Sequence, residues 1–188
     1  MACAGVAAVL LVAGCGSQDE PESASGGDDK PAATEEHNAA DVVFAQGMIP
    51  HHEQAVEMAK MARTSAESAE VKQLATAIAG AQTPEIETMS GWLGDWGEEV
   101  PSLADMTEHA GHAGMMSAED MTALQGAKGA AFDRMFLEMM IQHHEGAVEM
   151  ARTEQDKGRF TAAKELAADI EKSQTAEIAT MKGALGQQ

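Results

Sequence analysis

Between residues 41 and 93 apolar and small side chains recur every three to four positions, with charged residues between them. Phe44, Met48, His52, Ala55 and Ala59 fall on one stripe, and Leu74, Ile78, Gln82, Met89 and Leu93 on another. This is the helical period, and each stripe marks the side that a helix turns towards its neighbours. The segment therefore predicts two helices folded as a hairpin. Thr64, Ser65, Ala66 and Glu67 have the form of a capping box and predict the second helix to open there. Sliding the chain along itself by 92 residues aligns 41–93 with 133–185 without a gap, and 24 of the 53 positions are identical. The identities crowd into 41–59 and 82–93, whereas 60–71 keeps none. Two hairpins with one apolar face each bury those faces best against one another. The expected fold is all-α, a four-helix bundle of two duplicated hairpins with pseudo-twofold symmetry. The connector, 94–132, should carry a short extra helix after Ser117, because Ser-Ala-Glu-Asp is an N-terminal helix signal.

The beginning of the 188-residue chain departs from this pattern. Residues 4–13 are apolar but too few to span a bilayer. They run into Val12, Ala13, Gly14 and Cys15, a small-residue cleavage site followed by cysteine. This resembles a bacterial lipobox, although no Lys or Arg precedes the apolar run. It implies a signal peptide over 1–14 and a lipidated Cys15 that anchors the protein to the cell membrane on its extracytoplasmic side. Residues 15–37, rich in Ser, Gly, Pro, Asp and Glu, read as a flexible acidic tether, and 38–186 as the folded domain. Cys3 would leave with the signal and Cys15 would be acylated, which excludes thiol catalysis and zinc–thiolate sites. A net charge of −19 argues against nucleic acid as a partner and concentrates cations near the protein.

Candidate chemistry centres on one motif that occurs twice, GMIPHHEQAVEMA at 47–59 and MMIQHHEGAVEMA at 139–151. With Met48 at the centre of the inward stripe, His52 lies about 40° to one side and His51 about 60° to the other. Glu53 and Glu57 point more than about 130° away, towards solvent. Met140, His143 and His144 repeat the arrangement. Imidazole suits copper, zinc, nickel and iron, and a thioether selects soft ions, Cu(I) above all. Copper, as Cu(I) or Cu(II), is the expected metal, with Met48, His51, His52, Met140, His143 and His144 as its ligands, in one shared site or two. On the second helices Gln82 and Glu85 share the stripe of Met89, and Gln174 and Glu177 share that of Met181. All four are candidates for the shell behind the ligands, where Glu85 and Glu177 would hold the far nitrogen of a ligating ring or else ligate directly. Asp41 and Asp133 lie about 16 Å from the histidines of their own helices, and a capping role suits them better. In the connector, His109, His112, Met115 and Met116 lie among glycines, where core packing does not easily account for methionines, and form an accessory metal-capture segment.

With these residues identified, the chain resembles the DUF305 family of bacterial extracytoplasmic proteins. The resemblance rests on Asp41, Phe44, Met48, Ile49, Pro50, His51 and His52 followed by Ala55, Met58 and Ala59. It rests equally on Asp133, Phe136, Met140, Ile141, His143 and His144 with Ala147, Met150 and Ala151, and on the Gln-x2-Glu-Ile-x2-Met pattern from Gln82 and Gln174. It implies a ferritin-like helical bundle, a link to copper, and the His and Met positions above as ligands. Gln142 stands where the first copy has Pro50, so a kink is expected in the first helix alone. The function this supports is a membrane-tethered copper buffer, sequestering protein or chaperone. The competing reading is a structural or interaction lipoprotein with a Met-rich core and no metal. No enzymatic activity is expected: di-iron oxidation in such bundles wants inward Glu and Glu-x-x-His pairs, and no Glu-x-x-His occurs.

Overall fold

Asn38 starts the first helix. Its side chain accepts from the amides of Ala40 and Asp41, and the Asp41 carboxylate accepts in return from the Asn38 amide, a reciprocal cap. The structure, a computed structural model, describes residues 36–106 and 114–186. The expected signal peptide and the tether up to residue 35, with Cys15, lie outside the described residues, as do His109 and His112. The described elements are α1 (Ala39–Ser65), α2 (Ala69–Trp96), a 3-10 turn at Leu103–Met106, α3 (Ala118–Gly126), α4 (Gly129–Lys157) and α5 (Thr161–Leu185). They form an all-α bundle in which α1 pairs with α2, α4 with α5, and α1 with α4. No described helix is long and apolar enough to cross a membrane.

Local signals account for most boundaries. Ser117 caps α3 with Asp120 in the expected capping box. The start of α2 differs from expectation: α1 runs on to Ser65, and Ser68 is the N-cap, accepting from the amides of Glu70 and Val71. Thr64 to Glu67 fits the capping-box spacing, but Ala62 and Ser65 are buried and hold the last turn of α1 in the bundle. Helix α1 continues through Pro50, at a position where a proline ordinarily costs about 3 kcal/mol.

The core divides into two apolar clusters. In one, Phe44, Met48 and Ile49 of α1 meet Met89 and Leu93 of α2, Ala147 and Ala151 of α4, and Ala163 and Ile170 of α5. In the other, Met58 and Ala62 of α1 meet Val71 and Ile78 of α2, Phe132, Phe136 and Met140 of α4, and Met181 of α5. The first half of α1 thus packs with the second half of α4 and the reverse, so the two helices run antiparallel and cross near their midpoints.

Two aspartates lock the hairpins together. Asp133 of α4 accepts from the amides of Glu67 and Ser68 at 3.0 and 2.7 Å, where α2 begins. Asp41 of α1 accepts from Arg159 and Phe160, both at 3.0 Å, where α5 begins. The N-cap of α5, Phe160, has no side-chain cap of its own, so a carboxylate from the other hairpin supplies it. The capping role expected of both aspartates is therefore extended across the hairpin interface.

Candidate metal centre

Between the two apolar clusters, at the crossing of α1 and α4, the inward stripe turns polar. His51, His52, His143 and His144 are each 0 % exposed. The His51 and His143 rings meet across the crossing with centroids 3.7 Å apart and planes tilted by 40°, and the His144 ring lies 6.4 Å from that of His143. The two histidine pairs that are 92 residues apart in sequence are thus brought together at one waist of the bundle. Burial, and then the proximity of His51, His144 and His52, hold His143 well below the usual imidazole range. A ring so placed stays neutral and keeps a lone pair for a Lewis acid.

The outer rings are oriented by carboxylates from the second helices. His52 Nε2 donates to Glu85 Oε2 at 2.7 Å, and His144 Nε2 donates to Glu177 Oε2 at 2.7 Å. In the tautomer that donates from Nε2 alone, the lone pair lies on Nδ1. The Nδ1 atoms of His52 and His144 are buried and reach no hydrogen-bond partner among the described residues. Neither ring nitrogen of His143 makes a well-directed hydrogen bond, although the His51 backbone lies close by. The glutamate side chains are 20 % and 22 % exposed while the rings behind them are sealed, so each carboxylate joins the waist to the surface. Carboxylate-held imidazoles with bare inner nitrogens are the donor chemistry that a metal uses. Among the described residues no three His, Cys, Asp or Glu side chains already converge as a metal cage.

Gly114 and Met116 of the connector pack on the α1/α4 face of this waist. Gln54, one turn after His51, grips Met116 at both backbone atoms: its Nε2 donates to the Met116 carbonyl at 2.9 Å, and its Oε1 accepts from the Met116 amide at 2.8 Å. Gly114, with φ of +82°, packs directly on α4. A Cβ there would lie 2.7 Å from the Gln142 carbonyl oxygen, 2.9 Å from that of His143 and 3.0 Å from Gly146 Cα. Gly146 is the repeat equivalent of Gln54. One copy provides the grip and the other provides the room.

Other expected site residues fall as follows. Met48 and Met140 are fully buried, each in a different apolar cluster. Gln82 and Gln174 are buried at the waist, at 2 % and 3 % exposure. Glu53 is half-buried, where it accepts from the Leu103 amide, and Glu57 is exposed, so neither points into the waist. Met115 is half-buried. Met116 departs from the expectation of a methionine that packing does not explain, because it is 7 % exposed and belongs to the second apolar cluster. The Gln54 grip pulls it inward. Sequence reasoning passed over Gln54, since an amide one turn from a histidine on an exposed-looking arc carries no local signature.

A family model described as a domain of unknown function, DUF305, matches residues 41–185. No curated protein matches the chain by sequence. Among solved structures, a DUF305 protein of Streptomyces coelicolor, described as secreted, shares 34% identity at a TM-score of 0.72, covering 79% of this chain and 93% of that one. A DUF305 fragment from Deinococcus radiodurans also shares 34% identity at a TM-score of 0.72, covering 80% of this chain and 98% of that one. CopM in its Cu(II)-bound form shares 38% identity at a TM-score of 0.69, covering 78% of this chain and 96% of that one. CopM is also known in Cu(I)-bound and Ag-bound forms. The repeated Asp, Phe and His-His positions, their antiparallel pairing and the extent of the match together make the chain a member of the DUF305 family.

Proposed function

We propose that this protein binds copper at the four-histidine waist and acts outside the cytoplasm as a buffer, sequestering protein or chaperone, tethered to the membrane through a lipid on Cys15. The observation that carries the reading is the pair of buried rings, His52 and His144, each held by a glutamate at Nε2 and bare at Nδ1. CopM, at 34–38% identity over nearly its whole length, is a copper- and silver-binding relative of the same architecture, which supports the choice of metal. Small rotations of the imidazoles would gather them on an ion, and the carboxylates would hold the tautomer that exposes Nδ1. The role is binding rather than catalysis, since the glutamates near the waist are engaged with histidines.

One observation favours the competing reading of a structural lipoprotein without metal: Met48, Met116 and Met140 all pack as core. A competition titration with a chromogenic copper chelator separates the two. It compares the domain from residue 17 as wild type and with His51, His52, His143 and His144 changed to Ala. Tight binding only in the wild type is expected. Equal, weak binding in both would move copper to the connector histidines, and no binding in either would leave the structural role.

A further inference from the structure

Gln82 and Gln174 occupy equivalent positions of the two repeats, one turn before Glu85 and Glu177. Ile78 on one side of Gln82 belongs to one apolar cluster and Met89 on the other side belongs to the second; Ile170 and Met181 flank Gln174 in the same way. Both amides are therefore set at the level of the waist, between the two cores and one turn from the carboxylates that hold the outer rings. Both are more than nine-tenths buried. Neither the oxygen nor the nitrogen of the Gln82 amide reaches a partner among the described residues, nor does the oxygen of Gln174. Leaving a buried polar group unsatisfied weakens the fold, and leucine would fill similar space without that cost. The sequence nevertheless carries the amide in both copies.

The chemistry of an amide limits what it can serve. A bare ion held by imidazoles satisfies ring lone pairs but offers nothing to an amide N–H, which only donates. Cu(I) is a soft ion suited to sulfur ligands, and the thioethers one turn before the histidines, Met48 and Met140, are packed in opposite cores. Cu(II) takes nitrogen and oxygen together, in a tetragonal shell. Water in that shell both donates and accepts, and so answers an amide oxygen and an amide N–H alike.

We propose that Gln82 and Gln174 hold water in the coordination shell of a divalent ion at the waist and thereby set its preference for Cu(II) over Cu(I). This rests on the waist being the copper site. The two amides are positioning residues, and their cost to the metal-free fold is the counterpart of their gain for the hydrated ion.

The test is the double variant Gln82→Leu/Gln174→Leu, titrated separately with Cu(II) and Cu(I), beside the four-histidine variant. Cu(II) affinity should fall about tenfold or more, the scale of losing a group that supports metal ligands, and Cu(I) affinity by less than about threefold. The metal-free double variant should melt at the same temperature as wild type or higher, which a merely structural role for the amides would reverse. Electron paramagnetic resonance of the Cu(II) form in 17O-enriched water should show line broadening in wild type that the variant loses. Equal losses for both ions, or an unbroadened wild-type spectrum, would overturn the proposal. Copper binding unaffected in the four-histidine variant would overturn the site itself, whereas loss there with Cu(II) affinity intact in the glutamine variant overturns only the role of the amides. If the double variant loses its cooperative melt, the single variants are read by the same criteria.

Discussion

The two repeats agree at their centres and part company at their ends. At the waist each copy supplies His, His, Gln and Glu in the same places, with a His–Glu bond of 2.7 Å in both. Near the turns the correspondence fails. Glu154 stands where the first copy has Ala62, and Gly158 where it has Ala66. A Cβ on Gly158 would overlap the Glu154 carboxyl, so the second copy fits its buried acid only because the neighbouring side chain is absent. At position 54 a gripping amide faces a glycine at 146. The comparison teaches that symmetry is retained where donor atoms must meet and is relaxed where each turn or the single connector must be accommodated.

The largest expected effect tests the symmetric part. Replacing Glu85 or Glu177 with Leu frees one ring and should cost about 10- to 100-fold in copper affinity, by similar amounts in the two repeats. Gln at either position keeps an acceptor for the ring N–H and should cost less. A chelator competition titration reads both, and a loss confined to one repeat would break the equivalence.

Next in size are the two aspartate clamps, which look alike but should not weigh alike. Asp133→Ala strands the amides at the head of α2 and should cost about 2–3 kcal/mol in urea unfolding. Asp41→Ala strands those of α5 and also removes the acceptor of the Glu154 proton and the reciprocal cap at Asn38, so its cost should be larger by about 1 kcal/mol.

The acid of the second copy also predicts a pH dependence. Burial, with the hydrogen bond to Asp41 and its charge, raises Glu154 to about 8. The folded state therefore holds this proton where the unfolded chain has released it. That stabilisation is complete below the ordinary glutamate range, and declines as pH rises towards 8. Asp41 acts in the opposite sense. Burial pushes it up, but hydrogen bonds from Glu154 and from the amides of Asn38, Phe160 and Arg159 outweigh this and hold it below its usual value. Its contribution is present above the ordinary aspartate range and is lost as pH falls through the lowered one. Melting temperature between pH 5 and about 9 should decline in wild type and flatten in Glu154→Gln. Gly158→Ala should destabilise the wild type by about 1–3 kcal/mol through overpacking. In a Glu154→Ala background, which reproduces the Ala62/Ala66 pair of the first copy, the part of that cost due to the carboxyl should vanish, leaving the contact with the residue-154 carbonyl oxygen at 2.7 Å.

The smallest effect concerns the connector. Gln54→Ala removes both bonds to Met116 and should cost about 1–2 kcal/mol, with faster amide hydrogen exchange at 114–117. Unchanged exchange there would mean that packing of Met116 alone holds the connector down.

The helices were legible because Phe44, Met48, Ala55 and Ala59, and their counterparts, repeat at a spacing that only a helix turns to one side. The inward aim of both histidine pairs followed from the same geometry, as did the outward aim of Glu57. The opening of α2 was misjudged by a few residues, because Thr64 to Glu67 satisfies a local capping rule that burial of the preceding turn overrides. The burial of Met116 was not legible either, since it depends on a hydrogen bond to Gln54 from 62 residues away.

The sequence by itself determined which residues belong to helices, which side of each helix faces inward, and that the chain carries two copies of one motif, for these are consequences of local period and composition. The tertiary structure decided what the motif becomes. Antiparallel crossing of α1 and α4 set His51 against His143, hairpin pairing delivered Glu85 and Glu177 to the outer rings, and Gly114 and Met116 were fixed against α4 and α1. Each depends on contacts between distant segments, whose geometry comes from packing whole helices against one another.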